Sequence, residues 1–202
     1  MSDDLVVHVV EDDLAMRDAL LLLLSSADLP ARGYASAEEV LVEQDSMNSP
    51  CVLVDIRLPG MSGLALQREL ALRQTDPAIV MITGHGDIPL AVAALKAGAM
   101  DFVTKPFDPA ALLDSVRAAW RRSVERRRRA AADAEIDDYL KSLTPRESSI
   151  LVLLTEGRPS KTIAAELGIS PRTVEHHRAR IMEKMRARTV PQLIRTVLGR
   201  IR

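Results

Sequence analysis

Short apolar runs alternate with amphipathic stretches through the first 122 residues, and this alternation leaves few folds open. The runs occupy residues 5–10, 31–35, 51–54, 78–82 and 102–104. Runs this short, apolar on consecutive positions, suit strands covered on both faces, and helical spacing between them pairs such strands in parallel. Five strands and five helices are predicted. Local chemistry marks the helix ends: Ser36 and Glu39 have capping-box spacing, Asp108 precedes a proline suited to the first helical position, and Gly98 closes the helix that begins near Ile88.

Beyond Trp120 the helical pattern continues through four consecutive arginines at 126–129 to Lys141. Nearly all of these residues are strong helix formers, so residues 123–141 read as a helical linker whose charges face solvent. After it there is no strand signal. Thr144, Pro145 and Glu147 combine an N-cap, a first-position proline and a capping-box acid; Gly157 and Gly168 stop two helices; Ser170-Pro171 and Thr189 with Gln192 start two more. Four helices in residues 142–202 make a small all-α domain.

The net charge of −1 divides along the same boundary. Residues 1–122 carry 10 basic against 18 acidic side chains, and residues 123–202 carry 17 against 10, so an acidic module is joined to a basic one. With 47% hydrophobic and 27% charged residues, collagen-like and disordered classes are excluded. A lone cysteine, Cys51, rules out an internal disulfide and reads as core. There is no signal-peptide pattern at the N-terminus and no apolar stretch near the roughly 20 residues of a membrane span. A soluble protein of the cytoplasm, without membrane partners, is expected.

Polar residues gather where the apolar runs of the first module end. Glu11-Asp12-Asp13 follow the first, Asp55 the third, Thr83 the fourth and Lys105 the fifth. Carboxyl ends of parallel strands form the ligand crevice of an open sheet, so these groups should converge. Clustered carboxylates favour a hard divalent cation such as Mg²⁺. A lysine and a threonine beside them suit a phosphoryl group, which Asp55 could accept. His8 and His85 have no second soft ligand placed near them and are not read as metal ligands.

As a set, Val10-Glu11-Asp12-Asp13, Val54-Asp55-Ile56-Arg57-Leu58-Pro59-Gly60, Thr83-Gly84-His85-Gly86 and Lys105-Pro106-Phe107 resemble the receiver domain of two-component response regulators, the Thr-Gly-His-Gly stretch being typical of the FixJ-like group. The resemblance implies a flavodoxin-like (βα)5 fold with strand order 2-1-3-4-5 and phosphorylation by a sensor histidine kinase. It implies Asp55 as phosphoacceptor, Lys105 as the phosphoryl-holding cation, and Thr83 with Phe102 as a coupled switch pair. Glu11, Asp12, Asp55 and the Arg57 backbone carbonyl would hold Mg²⁺, and the Lys105–Pro106 bond would be cis. Glu11 stands where many members have aspartate. A phosphatase of the haloacid dehalogenase-like group also uses a strand-end aspartate and Mg²⁺, but its second acid would fall at Arg57. The chain is therefore not expected to be an enzyme beyond Mg²⁺-dependent self-phosphorylation and autodephosphorylation.

In the basic module, the helix, Gly168-Ile169-Ser170 turn and helix have helix-turn-helix spacing. The stretches Leu143-Thr144-Pro145-Arg146-Glu147, Lys161-Thr162-Ile163-Ala164 and Ser170-Pro171-Arg172-Thr173-Val174-Glu175-His176-His177 onward resemble the LuxR/NarL-type DNA-binding domain, which implies double-stranded promoter DNA as partner. Helical spacing puts Val174, Ile181 and Met185 on the core side with His177 beside them. Arg172, Glu175, His176 and Ala179 lie on the opposite side and, in the recognition helix that the resemblance implies, would face the major groove, with Thr173, Arg178, Arg180 and Lys184 flanking them as expected phosphate contacts. The expected function is transcription regulation, activation by family analogy, by a homodimer formed on phosphorylation, with RNA polymerase as a further partner. The last helix, through Leu193 and Val197, is expected to pair the DNA-binding domains. An alternative is a phosphorylation-controlled interaction module with no DNA output.

Overall fold

A computed structural model describes residues 6–43, 51–73, 77–84 and 88–201, without the side chains of Ile88 and Ile201. His85 lies outside them. The chain divides into two compact units, Met1–Arg126 and Arg127–Arg202.

In the first unit, β1 (Val7–Val10), α1 (Leu14–Ser26), β2 (Ala31–Tyr34), α2 (Ala37–Glu43), β3 (Cys51–Asp55), α3 (Gly63–Leu72), β4 (Ala78–Thr83), α4 (Ile88–Lys96) and β5 (Asp101–Thr104) alternate strictly, and α5 (Pro109–Lys141) begins after β5. The strands form one parallel sheet in the order β2-β1-β3-β4-β5. That is the flavodoxin-like order anticipated from the sequence. Side chains alternate across β3: Cys51 and Leu53 pack on one face with Leu20 and Leu24 of α1 and Leu112, Val116 and Ala119 of α5, while Val52 and Val54 pack on the other with Val40, Leu66, Leu70 and Ala94 of α2, α3 and α4. Because both faces are covered, β3 and β4 are buried along their whole length. Each Val, Leu, Ile or Met side chain among them contributes roughly 1.5–3 kcal/mol on burial. The strand order reverses between β1 and β3, which opens a crevice at their carboxyl ends.

Cys51 is fully buried and burial pushes its thiol up to about 12, so it serves as an inert core side chain. His8 on β1 is also buried, against the Tyr34 ring. Burial first, and the charge of Arg32 second, lower its imidazole to about 4, against the pull of Glu43. It is neutral at physiological pH.

The second unit holds the end of α5 with α6 (Pro145–Thr155), α7 (Ser160–Leu167), α8 (Pro171–Lys184) and α9 (Val190–Ile201). Ile136, Tyr139 and Leu140, in the stretch read from sequence as linker, pack on its core, and Arg200 of α9 forms a two-point ion pair with Asp137. The tail of α5 is therefore part of this unit's packing. Leu193 and Val197 are buried in the same core beside Ile150, Ile163 and Ile181. This corrects their expected role in pairing domains: a four-helix unit this small needs the apolar stripe of α9 to close its own core.

Of the capping pairs read from sequence, only Thr144 and Glu147 bond reciprocally. Glu39 and Gln192 reach the backbone N–H one residue before the cap, at Ala35 and Arg188. Glu147 does more than cap. Its carboxylate is almost fully buried and accepts from Lys184 Nζ at 2.7 Å and from the Thr144 N–H at 2.9 Å. These bonds, Lys184 first and Thr144 second, hold its carboxyl down to about 2 against the effect of burial. A carboxylate held below its ordinary value of 4.5 stabilises the fold fully above that pH and loses the contribution as pH falls toward about 2. Replacing Glu147 with Gln is expected to destabilise the second unit by about 2 kcal/mol at neutral pH and to remove part of its acid lability between those limits. Thermal unfolding followed by circular dichroism across pH measures both.

Candidate phosphoryl and nucleic-acid sites

The crevice at the carboxyl ends of the strands collects three of the charged side chains singled out from the sequence. Lys105, just after β5, places Nζ 2.7 Å from Glu11 Oε2 and 2.5 Å from Asp55 Oδ2. The carboxylates are nearly buried, whereas a quarter of the lysine side chain remains accessible. The other oxygen of Asp55 accepts from the Arg57 N–H at 2.7 Å. Burial pushes the Glu11 carboxyl up while the Lys105 ammonium pulls it back. For Lys105, burial acts to lower the ammonium, but the bonds to Asp55 and Glu11 outweigh it and raise the group above its usual range. One ammonium thus faces two carboxylates.

Sequence order explains the arrangement only through the sheet. Glu11, Asp55 and Lys105 are 44 and 50 residues apart, yet the parallel register aligns Val10 with Val54 and Thr83 with Thr104. Strands of matched length therefore end at one level. Thr83 closes β4, fully buried, with its hydroxyl 3.4 Å from the Gly84 carbonyl oxygen. Phe102 is half-buried on β5 opposite Met81, which puts it diagonal to Thr83 on the same sheet face. The Lys105–Pro106 bond is cis.

Asp12 and Asp13 behave differently from Glu11. Asp13 caps α1, accepting from the Met16 N–H at 2.9 Å, and the Asp12 side chain is exposed. Among the described residues no three carboxylate, imidazole or thiolate groups stand together as a ready-made metal cluster. The donors at the crevice are nonetheless all oxygens and carry more negative charge than Lys105 offsets, which is the chemistry of a hard divalent cation.

Three supporting residues escaped sequence reading. Arg17 of α1 donates through Nη1 to the carbonyl oxygens of Glu11 at 2.6 Å and Asp12 at 3.3 Å, fixing the acidic turn. Its stem passes over Gly33 of β2, where an added Cβ would lie 3.0 Å from Arg17 Cδ. A glycine inside a strand is the one sequence sign of such an approach. Glu38 of α2 accepts from the Met61 N–H at 2.9 Å and steadies the loop after β3.

In the second unit, α8 exposes Arg172, Glu175, His176, Ala179 and Arg180 and buries Val174, Ile181 and Met185, the division its spacing predicted. His177 is half-buried with Nδ1 enclosed and unbonded, in keeping with a packing role. Thr173 shares the N-cap, its hydroxyl 2.8 Å from that of Ser170. Arg178 and Glu175 bond to each other and to Ser160 at the start of α7. The Lys184 ammonium is bound to the buried Glu147 carboxylate and, at 2.9 Å, to the Ser142 carbonyl oxygen, so it is engaged within the fold.

Gly63, the first residue of α3, carries a tight constraint on the crevice: a Cβ there would sit 2.3 Å from the Asp55 carbonyl oxygen. Exchanging Gly63 for Ala is expected to push Asp55 out of register, destabilise the first unit by roughly 1–3 kcal/mol and disturb the Lys105 contact. Urea denaturation, with backbone amide NMR shifts at Asp55 and Lys105, reads both effects.

Comparison with known proteins agrees with this division. Residues 7–117 match the model of the response regulator receiver domain, and residues 141–197 match that of the bacterial regulatory proteins of the luxR family. The transcriptional regulatory protein FixJ of Azorhizobium caulinodans is 45% identical over 198 residues, covering 98% of this chain and 94% of that protein. Nodulation protein W of Bradyrhizobium diazoefficiens is 43% identical, covering 96% and 86%. Among solved structures, that of the response regulator StyR superposes with a TM-score of 0.88 at 38% identity, covering 96% of this chain and 98% of that one. Full-length FixJ from B. japonicum gives 0.61 at 37%, covering 96% and 95%.

Proposed function

The chain belongs to the response regulators that join a receiver domain to a LuxR-type DNA-binding domain, and on that premise we propose that it regulates transcription after phosphorylation of Asp55 by a sensor histidine kinase. The observation that carries this reading is the Lys105 ammonium bound to both Asp55 and Glu11 at the strand ends. We assign residues 1–122 to the receiver and 142–202 to DNA binding, with 123–141 as a helical connection whose end packs on the DNA-binding unit. A cytoplasmic protein is inferred, since kinase and genome must both reach it; no helix among the described residues is long and apolar enough to cross a membrane.

In the proposed transfer an Asp55 carboxylate oxygen attacks phosphorus of the kinase phosphohistidine; the new P–O bond replaces the P–N bond, and the imidazole, already protonated on its other ring nitrogen, leaves as the neutral base with the P–N electron pair. Glu11 and Asp12, with Asp55 and the Arg57 carbonyl, would hold Mg²⁺, which when bound supplies positive charge against the converging anions. Lys105 is already at Asp55 Oδ2 and needs only a small shift to pair with a phosphoryl oxygen. The Arg57 N–H keeps Asp55 oriented through its other oxygen. Thr83, whose present contact is long, has a hydroxyl free to turn toward the added oxygens. Turning it vacates space on the sheet face it shares with Phe102, which repacks β5 against α4.

Leu90, Val92 and Leu95 of α4 are each about 40% exposed and offer the apolar surface on which a second phosphorylated receiver would pair. The dimer would present two α8 helices to double-stranded promoter DNA. Arg172, Glu175, His176 and Ala179 would meet base edges, with Thr173, Arg178 and Arg180 beside the phosphates. By family analogy the outcome is activation, with RNA polymerase engaged at the promoter.

Incubation with an acyl phosphate and Mg²⁺ is expected to give acid-labile phosphate on the chain and none on the Asp55→Asn variant; persistent uptake by the variant would place the phosphoacceptor elsewhere. In gel shifts with genomic fragments, binding is expected to weaken steeply with salt. Binding that is absent with and without the phosphodonor would remove the DNA output.

A further inference from the structure

Glu175 is the acidic side chain in the first two turns of α8, and it is held in place. Its Oε1 accepts from Ser160 Oγ at 2.6 Å and from Arg178 Nη1 at 2.8 Å, while Arg178 Nη1 also reaches Ser160 Oγ at 2.6 Å. The serine, first residue of α7, therefore takes a hydrogen bond from arginine and gives one to glutamate. Among the described residues, none donates a hydrogen bond to the other carboxylate oxygen, Oε2. The Glu175 side chain is 57% exposed and that of Arg178 only 26%, so the arginine is a partly covered brace and the carboxylate is the group on view.

An ionised carboxylate can only accept hydrogen bonds. In the major groove guanine presents two acceptors, thymine one acceptor and a methyl group, and adenine a donor beside an acceptor; cytosine alone presents a donor without an acceptor. A flexible glutamate would lose rotamer freedom on docking, whereas this one is already confined by two bonds from two helices. We propose that Ser160 and Arg178 position Glu175 as a specificity-determining residue that selects cytosine at one place in each half-site. This deepens the DNA-binding reading above and rests on α8 being the helix that enters the groove.

The test is selection of duplexes from a randomised pool by the full chain with acyl phosphate and Mg²⁺, followed by fluorescence anisotropy on the four duplexes that differ at the selected pair. Cytosine should be preferred about tenfold at one place per half-site. Glu175→Gln, whose amide both donates and accepts, should lose that preference or move it to adenine. Ser160→Ala should reduce it several-fold at the same place and leave the other places unchanged. Uniform weakening over all sequences by Ser160→Ala would overturn the positioning role. A selected motif that lacks cytosine, or is the same for Glu175→Gln, would overturn the inference and leave DNA binding standing; no salt-sensitive selection by any protein would overturn both.

Discussion

A single ammonium between two nearly buried carboxylates organises the first unit. Lys105 reaches Glu11 and Asp55 only because β1, β3 and β5 end at the same level of one sheet, and each carboxylate tolerates burial only because the lysine is there. The bridge also holds the Asp55 carboxylate oriented by a backbone N–H and keeps a cation in hydrogen-bond contact with it, which is what the proposed phosphoryl transfer would require. Neighbouring constraints protect this geometry. Arg17 fixes the turn that carries Glu11 and Asp12, Glu38 steadies the loop after β3, and Gly63 leaves the Asp55 carbonyl its space.

The second unit uses the same kind of contact for another end. Glu147 and Lys184 pair a buried carboxylate with a lysine about one-third exposed; here the carboxylate also caps a helix and the lysine also takes the Ser142 carbonyl, so both are engaged within the fold. The pair ties α6 to the end of α8 and so fixes the helix whose opposite face is free to meet DNA. Removing the lysine would leave a buried carboxylate without its cation, whereas removing the carboxylate leaves an ammonium that water already reaches. One ion pair is poised to be exchanged and the other to persist; what distinguishes them is a surplus carboxylate at the first and complete bonding at the second.

Much of this was legible beforehand. The apolar runs gave the strands to within one or two residues, and Glu11, Asp55, Thr83 and Lys105 stood out because each ends such a run. The faces of α8 followed from a 3.6-residue period. Other roles were hidden for a definite reason. Lys184 read as a phosphate contact because charge and helical position say nothing about Glu147, 37 residues away. Leu193 and Val197 read as a pairing surface because an apolar stripe does not reveal whether its partner belongs to the same chain. Ser160 gave no sign at all, since its hydroxyl matters only where α7 meets α8.

Taken alone, the sequence determined two modules, their secondary structure, the acidic and basic character of each, and the strand-end residues able to handle a phosphoryl group. Those properties are local: periodicity, capping chemistry and composition act over a few residues. Tertiary structure decided which charges are spent on the fold and which remain available. It bound Lys184 to Glu147, braced Glu175 with Ser160 and Arg178, and set Lys105 between Glu11 and Asp55. Each pairing needs groups from separate elements within about 3 Å of each other in a partly dehydrated place, and only the packing of those elements creates it.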